Sequence, residues 1–316
     1  MGSPPLESTS LPAKAPKDEP GAVGNPGQRT LPIGTALPDG SGLPNVYRIE
    51  RFIAQGGHAD IYLCTVNDPA YRDDILVLKI NGSKFRVPNF FREALWQSQP
   101  GSMRGIVPCI WSDHTEIDGE PTAVYVMPYL REGTLVSRLE RRDYTYLDCV
   151  NWIYGVADSL EQLPVVHRDL KPENIMLYGG RAMVADFGLA VHADAESRAQ
   201  WGEEVREAGT PNYMSPEQFI ASRFKELDVR ADIYSLTLVF YEMWTGRLPF
   251  PDSMPWDKMR DLKTLDEPIL DDLGHQEANA FVRKNLSRQR IKRCQTWAEF
   301  KAGLAGIKNG LLSFGN

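Results

Sequence analysis

The run His167-Arg168-Asp169-Leu170-Lys171-Pro172-Glu173-Asn174 places a carboxylate, an ammonium and a carboxamide in one short polar loop. Asp169 can accept a hydroxyl proton, Lys171 can neutralise charge on a transferring phosphoryl group, and the side-chain oxygen of Asn174 suits a hard cation such as Mg2+. Those are three of the parts that phosphoryl transfer needs. Taken singly, the same residues also read as a capped turn, with Pro172 as a stiffener and His167 as a satisfied core histidine.

Groups of this kind need rigid supports. Val165-Val166 and Ile175-Met176-Leu177 are apolar runs of strand character that would anchor the two ends of the loop. A helical pattern from Tyr146 to Leu163 delivers the chain to it. A second, strongly apolar helix opens at Asp232-Ile233-Tyr234-Ser235, runs through Trp244 and stops at Gly246 and Pro249. Helical patterns around Glu277–Leu286 and Thr296–Leu304 close this half of the chain. Earlier, Tyr47, Ile49 and Phe52-Ile53 lead into Ala54-Gln55-Gly56-Gly57-His58-Ala59-Asp60, and Ile61-Tyr62-Leu63 resumes, giving strand, turn and strand. Ile75–Ile80 is an apolar strand with one lysine, Lys79. Pro88 and Pro100 bound a helix whose only carboxylate is Glu93. Ile106–Ile110 and Thr122–Leu130 read as two further strands about an Asp118-Gly119 turn, completing a five-stranded lobe.

With 316 residues, 42% of them hydrophobic, the chain can bury a substantial core. A formal net charge of -7 gives no bulk electrostatic reason to expect a nucleic acid polymer or an anionic membrane as partner. Cys64, Cys109, Cys149 and Cys294 are far apart, without metal-ligand spacing, and read as reduced thiols of a cytoplasmic protein. No apolar run approaches the roughly 18 residues of a membrane span. Residues 1–44, rich in Pro, Gly, Ser and Thr, cannot offset their ordering entropy and read as a flexible segment; order is expected from about Val46, and 309–316 as a C-terminal tail.

The remaining candidates are ambiguous one by one. Small residues between Ala54 and Asp60 let backbone N–H groups approach an anion, and equally suit a plain hairpin. Lys79 alone fits an edge lysine, Glu93 an exposed helix charge, and Asp186-Phe187-Gly188 an ordinary turn. Gly209-Thr210-Pro211-Asn212-Tyr213-Met214-Ser215-Pro216-Glu217 completes the set.

Together and in this order, these strings resemble the eukaryotic-like (Hanks-type) serine/threonine protein kinases, closest in texture to bacterial members, over about residues 46–306. The resemblance implies an α+β, bilobal fold, with a β-rich N-lobe at about 45–128 and a mainly helical C-lobe at about 131–308. ATP would lie in the cleft between them, with Mg2+ or Mn2+. By the same resemblance Asp169 is the catalytic base, Lys171 its cationic neighbour, and Asn174 and Asp186 the metal ligands. Lys79 reaches the phosphates and pairs with Glu93, while Ala54 to Asp60 covers the phosphates. Ile53, Ile61, Val77 and Met176 sandwich the base, Met127 is the gatekeeper, and Pro128 to Leu130 form the hinge. Thr210 touches Asp169 and Lys171, and Glu217 pairs with Arg293. Asp232 braces the catalytic-loop backbone. The segment ending at Glu217 points to protein substrates, the chain itself included, and Asp169-Leu170-Lys171-Pro172 to Ser/Thr acceptors.

The sequence also departs from the family. Ala54 and Ala59 replace the outer glycines of the phosphate loop, Pro128 a hinge glutamate, and Ser215 the usual alanine. The alanines, which restrict φ, are the best support for a rival reading as a pseudokinase that binds nucleotide as a scaffold; against it, Lys79, Asp169, Asn174 and Asp186 are all present. Between Gly188 and Gly209 the only hydroxyl is Ser197, beside Glu203, Glu204 and Glu207. These carboxylates are expected to stand in partly for the phosphate that Arg168 binds in activated relatives.

Overall fold

The computed structural model describes residues 34–38, 46–55, 59–71, 74–81, 105–117, 120–193, 209–220, 226–251 and 254–313. The chain divides into two compact units: Met1–Ala94 with Cys109–Tyr129, and Leu95–Pro108 with Leu130–Asn316.

Among the described residues, the first unit forms a six-stranded sheet built from β1 (Ala36–Pro38), β2 (Val46–Gln55), β3 (Ala59–Val66), β4 (Leu76–Asn81), β5 (Trp111–Ile117) and β6 (Glu120–Pro128), in the order β1-β2-β3-β4-β6-β5. Every neighbouring pair is antiparallel. Side chains alternate across each strand, so Tyr62, Cys64, Leu76, Leu78, Ile80, Val124 and Val126 form a core on one face with Tyr47 and Ile49. The other face carries two cross-strand rows, Ile61 with Lys79 and Tyr125, then Leu63 with Val77 and Met127.

Two expectations need correction here. Order does not wait for Val46: Ala36–Pro38 pairs with Val46–Arg48, so the segment assigned to flexible chain contributes an edge strand. Ile106–Ile110 is not a strand of the sheet. The proline at 108 has no N–H for a ladder, and Val107 instead donates to the Val184 carbonyl at 2.9 Å, within the second unit. The strand that pairs with β6 begins at Trp111, in the polar run Trp-Ser-Asp-His-Thr-Glu-Ile, which carries little apolar signal.

The second unit holds α1 (Leu135–Arg141), α2 (Tyr146–Glu161), α3 (Val229–Thr245), α4 (Trp256–Leu265), α5 (Gln276–Asn285) and α6 (Trp297–Ser313). It also holds the short strands β7 (Val165–Val166), β8 (Ile175–Tyr178), β9 (Arg181–Val184) and β10 (Val191–His192). Thr145 caps α2 through a reciprocal box with Asp148, an arrangement worth about 0.5–2 kcal/mol. Asp228 caps α3, and Gly246, at φ 79°, ends it. Buried residues run around α3, from Ile233 to Trp244, and pack with Ile153, Val156 and Leu160 of α2 and Phe300 and Leu304 of α6. Among the described residues, no helix is long and apolar enough to cross a membrane.

The last helix differs from expectation: α6 continues to Ser313, through most of the segment assigned to a tail. Gly303, Gly306 and Gly310 lower its intrinsic propensity, yet two of them permit close packing. A Cβ at Gly303 would lie 2.7 Å from the Phe281 ring, and one at Gly310 equally close to His275. Helix α4 was not expected at all.

Candidate active site

The polar loop hangs between two strand pairs. β7 pairs with β10 through Val166 and Val191, and β8 pairs with β9 from Ile175–Val184 to Tyr178–Arg181. Gly179 and Gly180 both have positive φ, which the tight turn of the β8–β9 hairpin requires.

Asp232, in the first turn of α3 and fully buried, braces the loop's entrance. One carboxylate oxygen accepts the N–H of His167 at 2.6 Å and the other the N–H of Arg168 at 2.8 Å. Arg168 sits at φ 71°, an unfavourable conformation for a side chain of its size, costing about 1–3 kcal/mol. Burial pushes the Asp232 carboxyl up to about 7, against the two N–H groups, which favour its ionised form.

His167 is fixed in one tautomer by its partners. Its Nε2 lies 3.1 Å from the carbonyl oxygen of Ala185, which can only accept, so Nε2 carries the proton. Its Nδ1 faces the N–H of Asp169 at 3.4 Å and acts as acceptor. A neutral ring agrees with burial pushing its pKa down. Phe187 packs on this ring at 4.8 Å, joining the Asp-Phe-Gly stretch to the loop, and Asp186 takes φ 62°.

Around Asp169 the partners are polar and close. Its Oδ1 accepts both the N–H and the hydroxyl of Thr210, each at 2.9 Å. Lys171 Nζ lies 2.9 Å from Oδ2 and donates to Thr210 Oγ1 at 2.7 Å. Asn174 Nδ2 donates to the Asp169 backbone carbonyl at 2.8 Å and to Oδ2 at 3.2 Å. With its amide nitrogen so committed, Asn174 retains its amide oxygen for a cation. That oxygen and the Asp186 carboxylate are hard donors of the type Mg2+ takes, so the donor set fits that ion.

The segment after Thr210 is anchored at nearly every residue. Arg293 donates to the two oxygens of Glu217 at 2.7 and 2.9 Å, both side chains being excluded from solvent. Gln218 closes a box on Ser215 and donates to the Arg168 carbonyl at 2.8 Å. Tyr213 donates to Glu242 at 2.6 Å. Lys263 of α4 donates to the carbonyls of Pro211, Asn212 and Met214. Sequence reasoning missed Gln218, Glu242 and Lys263. Only Gln218 had a usable signal, the Ser-x-x-Gln spacing of a capping box with Ser215; the partners of Glu242 and Lys263 lie on distant segments.

In the sheet unit, Lys79 is 8% exposed, with Nζ 5.2 Å from the centre of the Tyr125 ring. Ile61 is its cross-strand partner on one side and faces Ala54 across β2. Val77 partners Met127, and Pro128 partners Leu76. Gln55 and Asp60 are backbone partners, while Ile53 lies at a register shift between Phe52 and Ala54. In the helical unit, Leu130 is buried and Met176 half-buried. Arg168 donates to the Leu189 carbonyl at 3.2 Å. Gly56, Gly57, His58, Glu93 and Ser197 lie outside the described residues, as do Glu203, Glu204 and Glu207.

Compared with models of known families, residues 47–302 match the protein kinase domain. Among curated proteins, the chain is 30% identical over 292 residues to serine/threonine-protein kinase PknB of Mycobacterium tuberculosis, covering 85% of this chain and 44% of that protein. It is similarly 30% identical over 291 residues to PknB of Mycobacterium leprae, again 85% and 44%. Against PknB of Mycolicibacterium smegmatis the identity is 29% over 290 residues, with the same coverage. The chain spans less than half the length of these relatives.

Proposed function

Because the chain belongs to the protein kinase domain family, we propose that it transfers the γ-phosphoryl group of Mg-ATP to serine or threonine hydroxyls of protein substrates, itself included. The observation that carries this reading is the Asp169 carboxylate, held between Thr210, Lys171 and Asn174 at hydrogen-bond distances.

In this reading Asp169 takes the proton of the acceptor hydroxyl as its oxygen bonds to the γ-phosphorus, the bond to the bridging oxygen breaks, and ADP leaves. Lys171 offsets negative charge on the phosphoryl group during the transfer. Thr210 holds Asp169 and Lys171 in register. Asp232 and the neutral His167 fix the backbone on either side, so the carboxylate loses little freedom that the reaction would otherwise have to remove. Asn174 and Asp186 would hold Mg2+, which supplies neutralisation of the phosphate oxygens. Lys79 orients the nucleotide phosphates, partnered by Glu93. Both metal and nucleotide fit a cytoplasmic setting. The acceptor preference rests on Lys171 after Asp169, and agrees with the names of the curated relatives.

The test is transfer of labelled γ-phosphate, with Mg2+, to three peptides identical except for Ser, Thr or Tyr at the acceptor position. Label on Ser and Thr is expected. Label on Tyr alone, or on none while nucleotide still binds, contradicts the proposal.

A further inference from the structure

Lys263 is 1% exposed, and no carboxylate neutralises it through an ion pair among the described residues. Its ammonium instead donates to three backbone carbonyls, of Pro211 at 2.9 Å, Asn212 at 2.7 Å and Met214 at 2.8 Å. The rings of Phe250, Tyr234 and Phe219 surround it at 4.6, 5.7 and 5.9 Å. A carbonyl only accepts, so three carbonyls need three N–H groups. The ammonium form has three and the neutral amine two. Burial works against that charge, pushing its pKa well below the ordinary lysine value, while the ring faces favour it. A cation retained at this depth, with all its donors spent on one short stretch of backbone, holds that stretch in a single conformation.

The stretch has a defined neighbour. Thr210, immediately before it, makes the contacts to Asp169 and Lys171, and the amides of Tyr213 and Met214 return to the Thr210 carbonyl at 2.9 and 3.1 Å. Its far end is held by Arg293 through Glu217. The backbone from 210 to 217 is therefore tied to the reacting groups at one end, to α4 in the middle and to Arg293 at the other end.

We propose that Lys263 is a positioning residue for protein substrates: by holding the Pro211–Met214 carbonyls it shapes the surface on which the residues beside the phosphoacceptor dock. This rests on the kinase reading given above. It extends it by assigning acceptor-chain docking to a buried lysine that touches neither substrate nor nucleotide.

The experiment measures steady-state phosphorylation of one Ser peptide by the full chain, varying peptide and ATP separately, for wild type, Lys263→Gln and Lys263→Met. Lys263→Gln keeps an amide that can serve two of the three carbonyls. A merely structural role lowers the fraction of folded enzyme, which reduces the apparent kcat and leaves both KM values unchanged. The expected result is a graded rise in KM for the peptide, at least about tenfold for Lys263→Met, with KM for ATP within about twofold of wild type. If Lys263→Met cannot be purified folded, the Lys263→Gln peptide KM decides, and an unchanged value overturns the proposal. An unchanged peptide KM in Lys263→Met, or equal rises for peptide and ATP, also overturns it. Absence of phosphate transfer by the wild type would overturn the kinase reading instead, so the two failures are distinguishable.

Discussion

Replacing Arg293 by Met should remove one of the most heavily used side chains in the helical unit. Arg293 donates to Glu217 at 2.7 and 2.9 Å, to the Ser287 carbonyl at 2.8 Å and to the Arg230 carbonyl at 2.9 Å. Its guanidinium also lies 4.8 Å from the centre of the Tyr234 ring. Arg293→Met leaves a buried carboxylate without its cation, a loss of about 3–5 kcal/mol. For a domain of this size each kcal/mol moves Tm by about 2–4 °C, so the expected drop is on the order of 6–20 °C. The companion variant Glu217→Leu/Arg293→Met removes the orphaned charge and should recover part of the loss. It does not recover all of it, because the Ser287 and Arg230 carbonyls stay without this donor. Thermal unfolding of wild type and both variants reads these terms directly. A single variant within about 2 °C of wild type, or a double variant less stable than the single, would refute the reasoning that the buried charge dominates.

Further outcomes follow from the buried groups around the loop. Because burial raises the folded pKa of Asp232 to about 7, the folded chain binds this proton more tightly than the unfolded chain. Its contribution to stability is therefore full below about pH 4 and lost as pH rises through about 7. The stability of wild type relative to Asp232→Asn should fall across that window in denaturant titrations; a rise would mean that the His167 and Arg168 N–H groups outweigh desolvation. Cys64 and Cys149 are both pushed up to about 12 by burial, so a thiol reagent at pH 8 should spare them and modify the half-buried Cys109 first. Peptide mapping that finds Cys149 labelled in the folded protein would contradict this. Thr210→Val deletes the hydroxyl contacts to Asp169 and Lys171 and should lower kcat by roughly tenfold, or about 1.4 kcal/mol, with KM for ATP unchanged.

What the sequence disclosed was chemistry carried by local strings. His167 to Asn174 and Thr210 to Glu217 stand out because their residue order is itself the signal, Asp186 to Gly188 only through its distance after Asn174, and α3 because its apolar run is long. Asp232 bracing the loop and Arg293 meeting Glu217 were expected only through the family resemblance; neither contact, separated by 65 and 76 positions, follows from spacing. Lys263 stayed hidden because a lysine in a polar helix ordinarily faces water, and only the carbonyls of a distant segment justify its burial. The strand at Ala36–Pro38 was obscured by the surrounding Pro and Gly, which masked a short edge that pairing alone stabilises. The end of α6 lay beyond the helical pattern read at Thr296–Leu304: Gly303 and Gly310 are poor helix formers, and their value is close packing against Phe281 and His275.

Asp169 is the group proposed to accept the acceptor proton. The most direct test is the initial rate of γ-phosphate transfer from Mg-ATP to a Ser peptide by wild type and by Asp169→Ala, both shown to bind ATP. A fall of roughly 10²–10⁴-fold, the range expected for losing a general base, is predicted. Equal rates for the two proteins would contradict the central claim.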